Sequence, residues 1–351
     1  MNQIPATFKQ RVTAFWDWYV QVADRFFQTI ERGRCEDLVA EVGGFMDETL
    51  PHLAWVFGPG ENGGHSFTVS GEGVVPMQLL AEYWCSRGPG IPNWTFYGSR
   101  QPSPPERLKD FAIRVGDHDQ VDFETMLTRT AVDEEAQAIH LSAWHPAFER
   151  LPDEHHLQIL FLLLDEALGE FGTEMWLGQI QVDRIVPGKD TRPLVELPAF
   201  VQQVNDYYEW DKLPPLRSYS LYEVSEQRES RRGDTVVGTT CIPNVIFEFL
   251  EHDGELPEDP LEGTGAEFAY VAIDGSVFPE GGQTEVRGNI EDALAEALES
   301  EQSGRTLGGA FGIDESYIDL ILFDGERSRQ IVSETLNGLQ LGGRSRLESF
   351  V

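Results

Sequence analysis

The sequence predicts an α+β fold of antiparallel sheets with helices packed on one face, built from repeated ββαβ units and a C-terminal βαββαβ region. Three observations carry that expectation. The most apolar stretch, 156–168, is too dense in Leu, Ile and Phe for a one-sided surface helix, and it lies between runs that alternate like strands. The order strand, strand, helix, strand occurs twice before residue 190. From residue 268 onward the order of elements is βαββαβ.

The first element is an amphipathic helix over 7–32, in which Phe8, Val12, Phe15, Trp16, Tyr19, Val22, Phe26 and Ile30 recur at steps of three or four. An aromatic stripe of this spacing reads as core rather than as a cofactor box. A second helix over 35–49 ends before Pro51. A short strand at 53–57, a Gly-rich turn and a strand at 66–70 follow, then a helix over 77–86 and a strand over 93–99. The turn Gly58-Pro-Gly-Glu-Asn-Gly-Gly64 lacks the Gly-Lys-Ser/Thr of a phosphate-binding loop.

After the Pro- and Ser-containing loop 101–105, the pattern returns. Strands are expected at 123–132 and 138–144, a helix capped by Asp153 over 156–168 and stopped by Gly169, and a strand over 175–186. Trp94 and Trp176 hold comparable places in the closing strands, and two such units can pair into one sheet. Pro193, Pro198, Pro214 and Pro215 lie in or around a short helix at 197–208 and, with Pro187, suggest a boundary. The expected division is therefore a domain at 1–195 holding the duplicated unit, a linker at 196–216, and a domain at 217–351.

The last domain begins with strands at 219–224 and 236–242, a helical or extended piece at 245–250 and an acidic loop at 251–262, read as solvated and mobile. The strand, helix, strand, strand, helix, strand order after it is the split, ferredoxin-like arrangement.

The formal net charge is −34, from 26 basic and 60 acidic side chains, and all the basic residues except Lys9, Lys109, Lys189 and Lys212 are arginine. Nucleic-acid backbones are bound by neutralising phosphates with Lys and Arg, so no direct nucleic-acid partner is expected. Cys35, Cys85 and Cys241 are odd in number and far apart, which argues for a reducing compartment. With no apolar leader and no run of about 20 apolar residues, the reading is cytoplasmic, without a membrane partner.

Candidate chemistry centres on Asp153-Glu154-His155-His156 with Asp165, Glu166, Glu170 and Glu174. His155, His156, Glu166 and Glu170 are the metal-ligand candidates, although no H-E-x-x-H pattern is present. The competing reading is a capped helix with a charged edge. His140 and His145 flank Trp144 and could pair with Cys85 or Ser70, but no Gly-x-Ser-x-Gly elbow accompanies them. Asp314, Asp319 and Asp324 are spaced by five, which alternates faces on a strand. Arg100 at a strand end could contact an anion through its forked donors. With Trp94, Tyr97 and Trp176 it makes up the candidate binding set, and no cofactor is expected.

The stretches Trp94-Thr-Phe-Tyr-Gly-Ser-Arg-Gln-Pro102 and Leu168-Gly-Glu-Phe-Gly-Thr-Glu-Met-Trp176 resemble bacterial proteins of unknown function with ferredoxin-like α/β sandwich domains, over residues 7–190. In fold order and acidity the chain is also similar to small acidic ferredoxin-like regulators that bind and inhibit ribonucleases, a similarity that transfers no residues. With no catalytic constellation at a recognised spacing, the expected function is a non-catalytic binding or regulatory role through a protein partner. The alternatives are a metal-assisted hydrolase built on the 153–174 cluster and an acidic inhibitor of a basic nucleic-acid enzyme. Exposed sheet edges would also allow a homodimer.

Overall fold

The computed structural model describes residues 6–351 apart from 116–118, 185–187, 189, 227 and 280. The chain is α+β, and no helix among the described residues is long and apolar enough to cross a membrane. It opens with α1 (Phe8–Glu31), whose start is set by a capping box. Thr7 Oγ1 accepts from the Gln10 N–H, and the Gln10 side chain accepts from the Thr7 N–H. Its buried stripe is Phe8, Val12, Phe15, Trp16, Tyr19, Ala23 and Phe26. A 3-10 turn at Cys35–Leu38 leads into α2 (Val39–Thr49).

The first ββαβ unit consists of β1 (Ala54–Pro59), β2 (His65–Ser70), α3 (Val75–Ser86) and β3 (Trp94–Tyr97). β1 pairs antiparallel with β2, and the chain returns through α3 to lay β3 parallel to β2. Its aromatic side chains close over α1, with Trp16 and Trp84 stacked at 4.7 Å.

The middle of the chain runs through α4 (Pro105–Leu108), β4 (Ala112–Val115), β5 (Asp119–Asp122), β6 (Leu127–Asp133), β7 (Ala138–Trp144), α5 (Asp153–Leu168), α6 (Glu170–Trp176), β8 (Leu177–Val182), β9 (Arg192–Pro193) and α7 (Leu197–Tyr208). β6 and β7 are antiparallel and β8 is parallel to β7, the same connectivity as the first unit. The two units keep separate sheets of three and four strands rather than joining into one.

Three local expectations shift. The strand foreseen at 123–132 starts later, because the Asp122 carboxylate accepts from the Glu124 and Thr125 N–H groups and bends the chain into a turn. Asp153 is the first helical residue of α5 rather than its cap, a position held by Pro152. Gly169, at φ 75°, ends α5, but the chain re-enters a helix at once and β8 begins only after Trp176. Residues 185–186 of the expected strand lie outside the described residues.

The C-terminal part contains β10 (Ser220–Glu223), β11 (Thr235–Thr240), α8 (Pro243–Glu251), β12 (Glu267–Asp274), α9 (Gln283–Ser300), β13 (Gly304–Gly312), β14 (Glu315–Leu322), α10 (Glu326–Gly338) and β15 (Ser345–Ser349). Its six strands stand in the order β10-β11-β13-β14-β12-β15, every pairing antiparallel. The last four are in the split order of a βαββαβ chain, and β11 and β10 extend the sheet beyond it. The loop 251–262 is anchored rather than loose, since Leu256 and Leu261 are buried and the Leu256 N–H donates to the Phe350 carbonyl at 2.9 Å.

Packing cuts across the expected division of the chain. Leu294, Leu298, Val332 and Leu336 of α9 and α10 cover one face of the six-stranded sheet. The other face, through Phe268, Tyr270, Tyr317 and Ile321, belongs to one continuous apolar cluster with α1, α3, β2 and α8. The first ββαβ unit therefore shares its core with the C-terminal sheet. The middle segment has its own core around Leu160, Leu163, Leu164, Ile139 and Leu141. The expected linker 196–216 is packed as well, with Leu197, Val201, Val204 and Trp210 in the middle core and Leu216 in the other.

Candidate binding cleft

The four metal-ligand candidates are not brought together. His155 and His156 sit in the first turn of α5, whereas Glu166 and Glu170 lie at or beyond its far end. Ten residues of helix separate His156 from Glu166, about 15 Å along the axis. His155 is exposed beside Glu154. His156 stacks on Phe148 at 4.6 Å, with a ring nitrogen 2.9 Å from the Leu151 carbonyl. Glu166 takes the Ser103 hydroxyl. Among the described residues no group of three or more His, Cys, Asp or Glu could hold a metal ion.

Glu170 is buried for another purpose. Its carboxylate accepts from Ser70 Oγ at 2.8 Å, the Gly73 N–H at 3.0 Å, Gln78 Nε2 at 2.9 Å and the Arg100 N–H at 3.3 Å, all in or next to the first unit. It pins the middle segment to α3. Around it, burial pushes Asp165 up to about 6, with Glu170 and Glu72 adding repulsion. Burial likewise raises Glu174, against a hydrogen bond from Gln78.

Of the binding candidates, Trp94 is buried in the aromatic cluster with its indole N–H toward the Ala23 carbonyl, and Trp176 packs against the middle core. Tyr97 closes β3. Arg100 pairs with Glu72 at 2.7 Å. These four do not form one surface. The histidines flanking Trp144 are also committed locally: His140 Nδ1 accepts from the Gln179 N–H, and His145 Nδ1 from the Ala147 N–H. Neither meets Cys85 or Ser70, since Cys85 points its thiol at the Phe96 carbonyl and Ser70 at Glu170. Asp314, Asp319 and Asp324 diverge, Asp319 pairing with Arg232 in the core and Asp324 with Lys9 and Thr7.

What the fold does build is a cleft of about 850 Å³ where its three parts meet. One wall is the start of α3, from Gly73 to Pro76, and another the end of α6, at Glu174 and Met175. The segment 211–220 and the start of α8, at Pro243 to Val245, complete it. The rim is mixed, with Val74 51% and Leu213 62% exposed among the carboxylates of Glu174, Asp211 and Glu248. Lys212 Nζ donates to the Met175 carbonyl at 2.9 Å, and burial lowers its pKa. At the back, burial pushes the Cys241 thiol up to about 11, so it is neutral and not poised as a nucleophile.

The cleft runs into an unpaired sheet edge. β10 pairs with β11 from Ser220 opposite Thr240 to Glu223 opposite Val237, and the Val224 N–H continues the ladder to Val236. In an antiparallel ladder bonded and non-bonded pairs alternate. Tyr222 and Ser220 therefore face β11, and the N–H and C=O groups of Leu221 and Glu223 face outward. The Leu221 side chain is 68% exposed. Strand β15, at the opposite edge, is guarded differently: Arg346 pairs with Glu315 and Glu348, and Arg231 reaches the Ser349 carbonyl.

Sequence reading placed a strand at 219–224 but not its edge position, which depends on long-range pairing. The exposed Leu213 beside Pro214 and Pro215 was the one local signal. No protein-family model matches the chain, and neither curated proteins nor solved structures give a match.

Proposed function

We propose that this chain is a non-catalytic binding protein that takes up an extended polypeptide segment along the edge of β10 and in the adjoining cleft. The observation that carries the reading is the open edge at Leu221 and Glu223, where an exposed leucine stands on unpaired backbone, bordering a cleft of about 850 Å³. Main-chain hydrogen bonds to such an edge supply affinity, and pockets for alternate side chains supply selectivity. A cleft of this size also falls within the range of ligand sites. The three cysteines, all unpaired, support a reducing cytoplasmic setting. The hydrolase alternative loses its basis, since its four ligands lie at separate places on the surface and in the core.

The test is a random peptide library selected on the purified protein and on its Leu221→Pro variant. Proline at 221 removes an outward N–H and leaves the bonds to β11 in place. Peptides enriched on the wild-type protein should lose about tenfold or more in affinity on the variant. Enriched peptides that bind both proteins equally would place the site elsewhere.

A further inference from the structure

Beside the start of β10 the structure concentrates positive charge in a chain whose net charge is −34. Arg217 and Arg305 converge on a single carboxylate, with Arg217 Nη2 2.9 Å from Glu82 Oε1 and Arg305 Nη1 2.7 Å from Glu82 Oε2. Arg305 also donates to the Leu216 carbonyl. The two arginines line a second cavity of about 340 Å³ together with Tyr219, and Tyr219 also lines the cleft. Arg87, which lies over the Tyr83 ring at 5.7 Å, borders the same cavity. Glu299 borders it too, so the lining carries the three guanidinium groups of Arg87, Arg217 and Arg305 against two carboxylates. The Tyr219 hydroxyl is itself within reach of Arg305.

A strand added antiparallel to β10 has its C-terminal end at the start of β10. A partner residue beside Tyr219 is two positions short of Arg217, about 7 Å at strand rise. Building on the edge-binding reading above, we propose that the occupant is the C-terminal segment of a partner protein, added antiparallel to β10, with its terminal carboxylate held by Arg217 and Arg305. Guanidinium groups match a carboxylate in geometry as well as charge. A second copy of this chain fits poorly. Two copies of a chain carrying the same strong negative charge repel.

The experiment uses the full chain and two phage libraries of random heptapeptides, one displayed with a free C-terminus and one embedded within the coat protein. Enrichment is expected from the free-terminus library, with apolar residues near the end. The enriched peptide, synthesised as free acid and as amide, should bind about tenfold more tightly as the acid by fluorescence anisotropy. Arg217→Glu, a change at a half-exposed side chain, should bring the acid down to the level of the amide. Glu82→Gln, which removes the competing negative charge between the two guanidinium groups, should tighten the acid further.

Equal affinity of acid and amide, or enrichment from the embedded library alone, would overturn the carboxylate assignment while leaving the edge reading in place. No enrichment from either library on a folded, monodisperse protein would overturn both. A dimer in light scattering that Leu221→Pro dissociates would make a second copy the occupant and overturn the proposal.

Discussion

Arg232 shows how much a single residue can depend on its setting. It adopts φ 57°, its side chain is fully buried, and Nη1 lies 2.5 Å from Asp319 Oδ1, also buried. The guanidinium sits 4.7 Å from the Tyr317 ring centre and 5.0 Å from that of Tyr270. Removing one partner strands the other charge in the core, so Asp319→Ala is expected to cost about 3–5 kcal/mol in urea unfolding. Arg232→Met combined with Asp319→Leu should recover most of that loss. If the double variant is as unstable as the single one, the pair holds the sheet in a way that apolar packing cannot replace. Asp165 makes a second residue-scale case. Its folded-state pKa is raised from 3.8 to about 6, so the stability linked to its proton is present below about pH 4 and lost as pH rises through about 6. Asp165→Asn should flatten that decline and raise stability at pH 7.5 by about 1–2 kcal/mol, with little change at pH 4. Melting curves at the two pH values would check it, and an equal gain at both would rule the explanation out.

At the scale of elements, the two edges of the six-stranded sheet make the sharpest contrast. β15 carries Arg346 and Glu348 and is tied by Arg231, whereas β10 presents Leu221, a single carboxylate at Glu223 and bare backbone. The ladder register makes a paired prediction that needs no ligand. Leu221→Pro removes an outward N–H and should cost about 1 kcal/mol or less, while Tyr222→Pro breaks a bond to β11 and should cost about 3 kcal/mol or more. Chemical denaturation of the two variants decides it, and the reverse order would mean that β10 pairs in the other phase. Among helices, α1 needed no tertiary help to be foreseen. Its capping box and its stripe from Phe8 to Phe26 are written in adjacent turns. β7 was equally legible, since 138–144 alternates and is flanked by an acidic turn and by His145-Pro146.

At the scale of the whole molecule, the first ββαβ unit and the C-terminal sheet share one core, and the middle segment has another. A fragment spanning 102–211 is therefore expected to fold alone and give a cooperative melt by circular dichroism. A fragment spanning 6–99 should remain unfolded or aggregate, because Phe8 and Tyr83 would lose Phe323, which they contact at 5.9 and 4.1 Å. Cooperative folding of 6–99 by itself would contradict the shared core.

The sequence alone determined what depends on neighbours a few residues apart. That includes α1, β7, the apolar α5, the repeated strand-strand-helix-strand order and the βαββαβ order at the end, because periodicity, capping and turn chemistry act over one or two turns. It also carried a warning against the metal cluster, since no H-E-x-x-H pattern accompanies it. Only the tertiary structure decided the rest. Glu170 could not be recognised as a buried anchor, because its donors on Ser70, Gly73 and Gln78 come from about a hundred residues upstream. The open edge of β10, the Arg217–Glu82–Arg305 cluster and the cleft exist only where distant segments converge. The burial of an apolar face constrains which surfaces must meet something, whereas chain topology chooses what they meet.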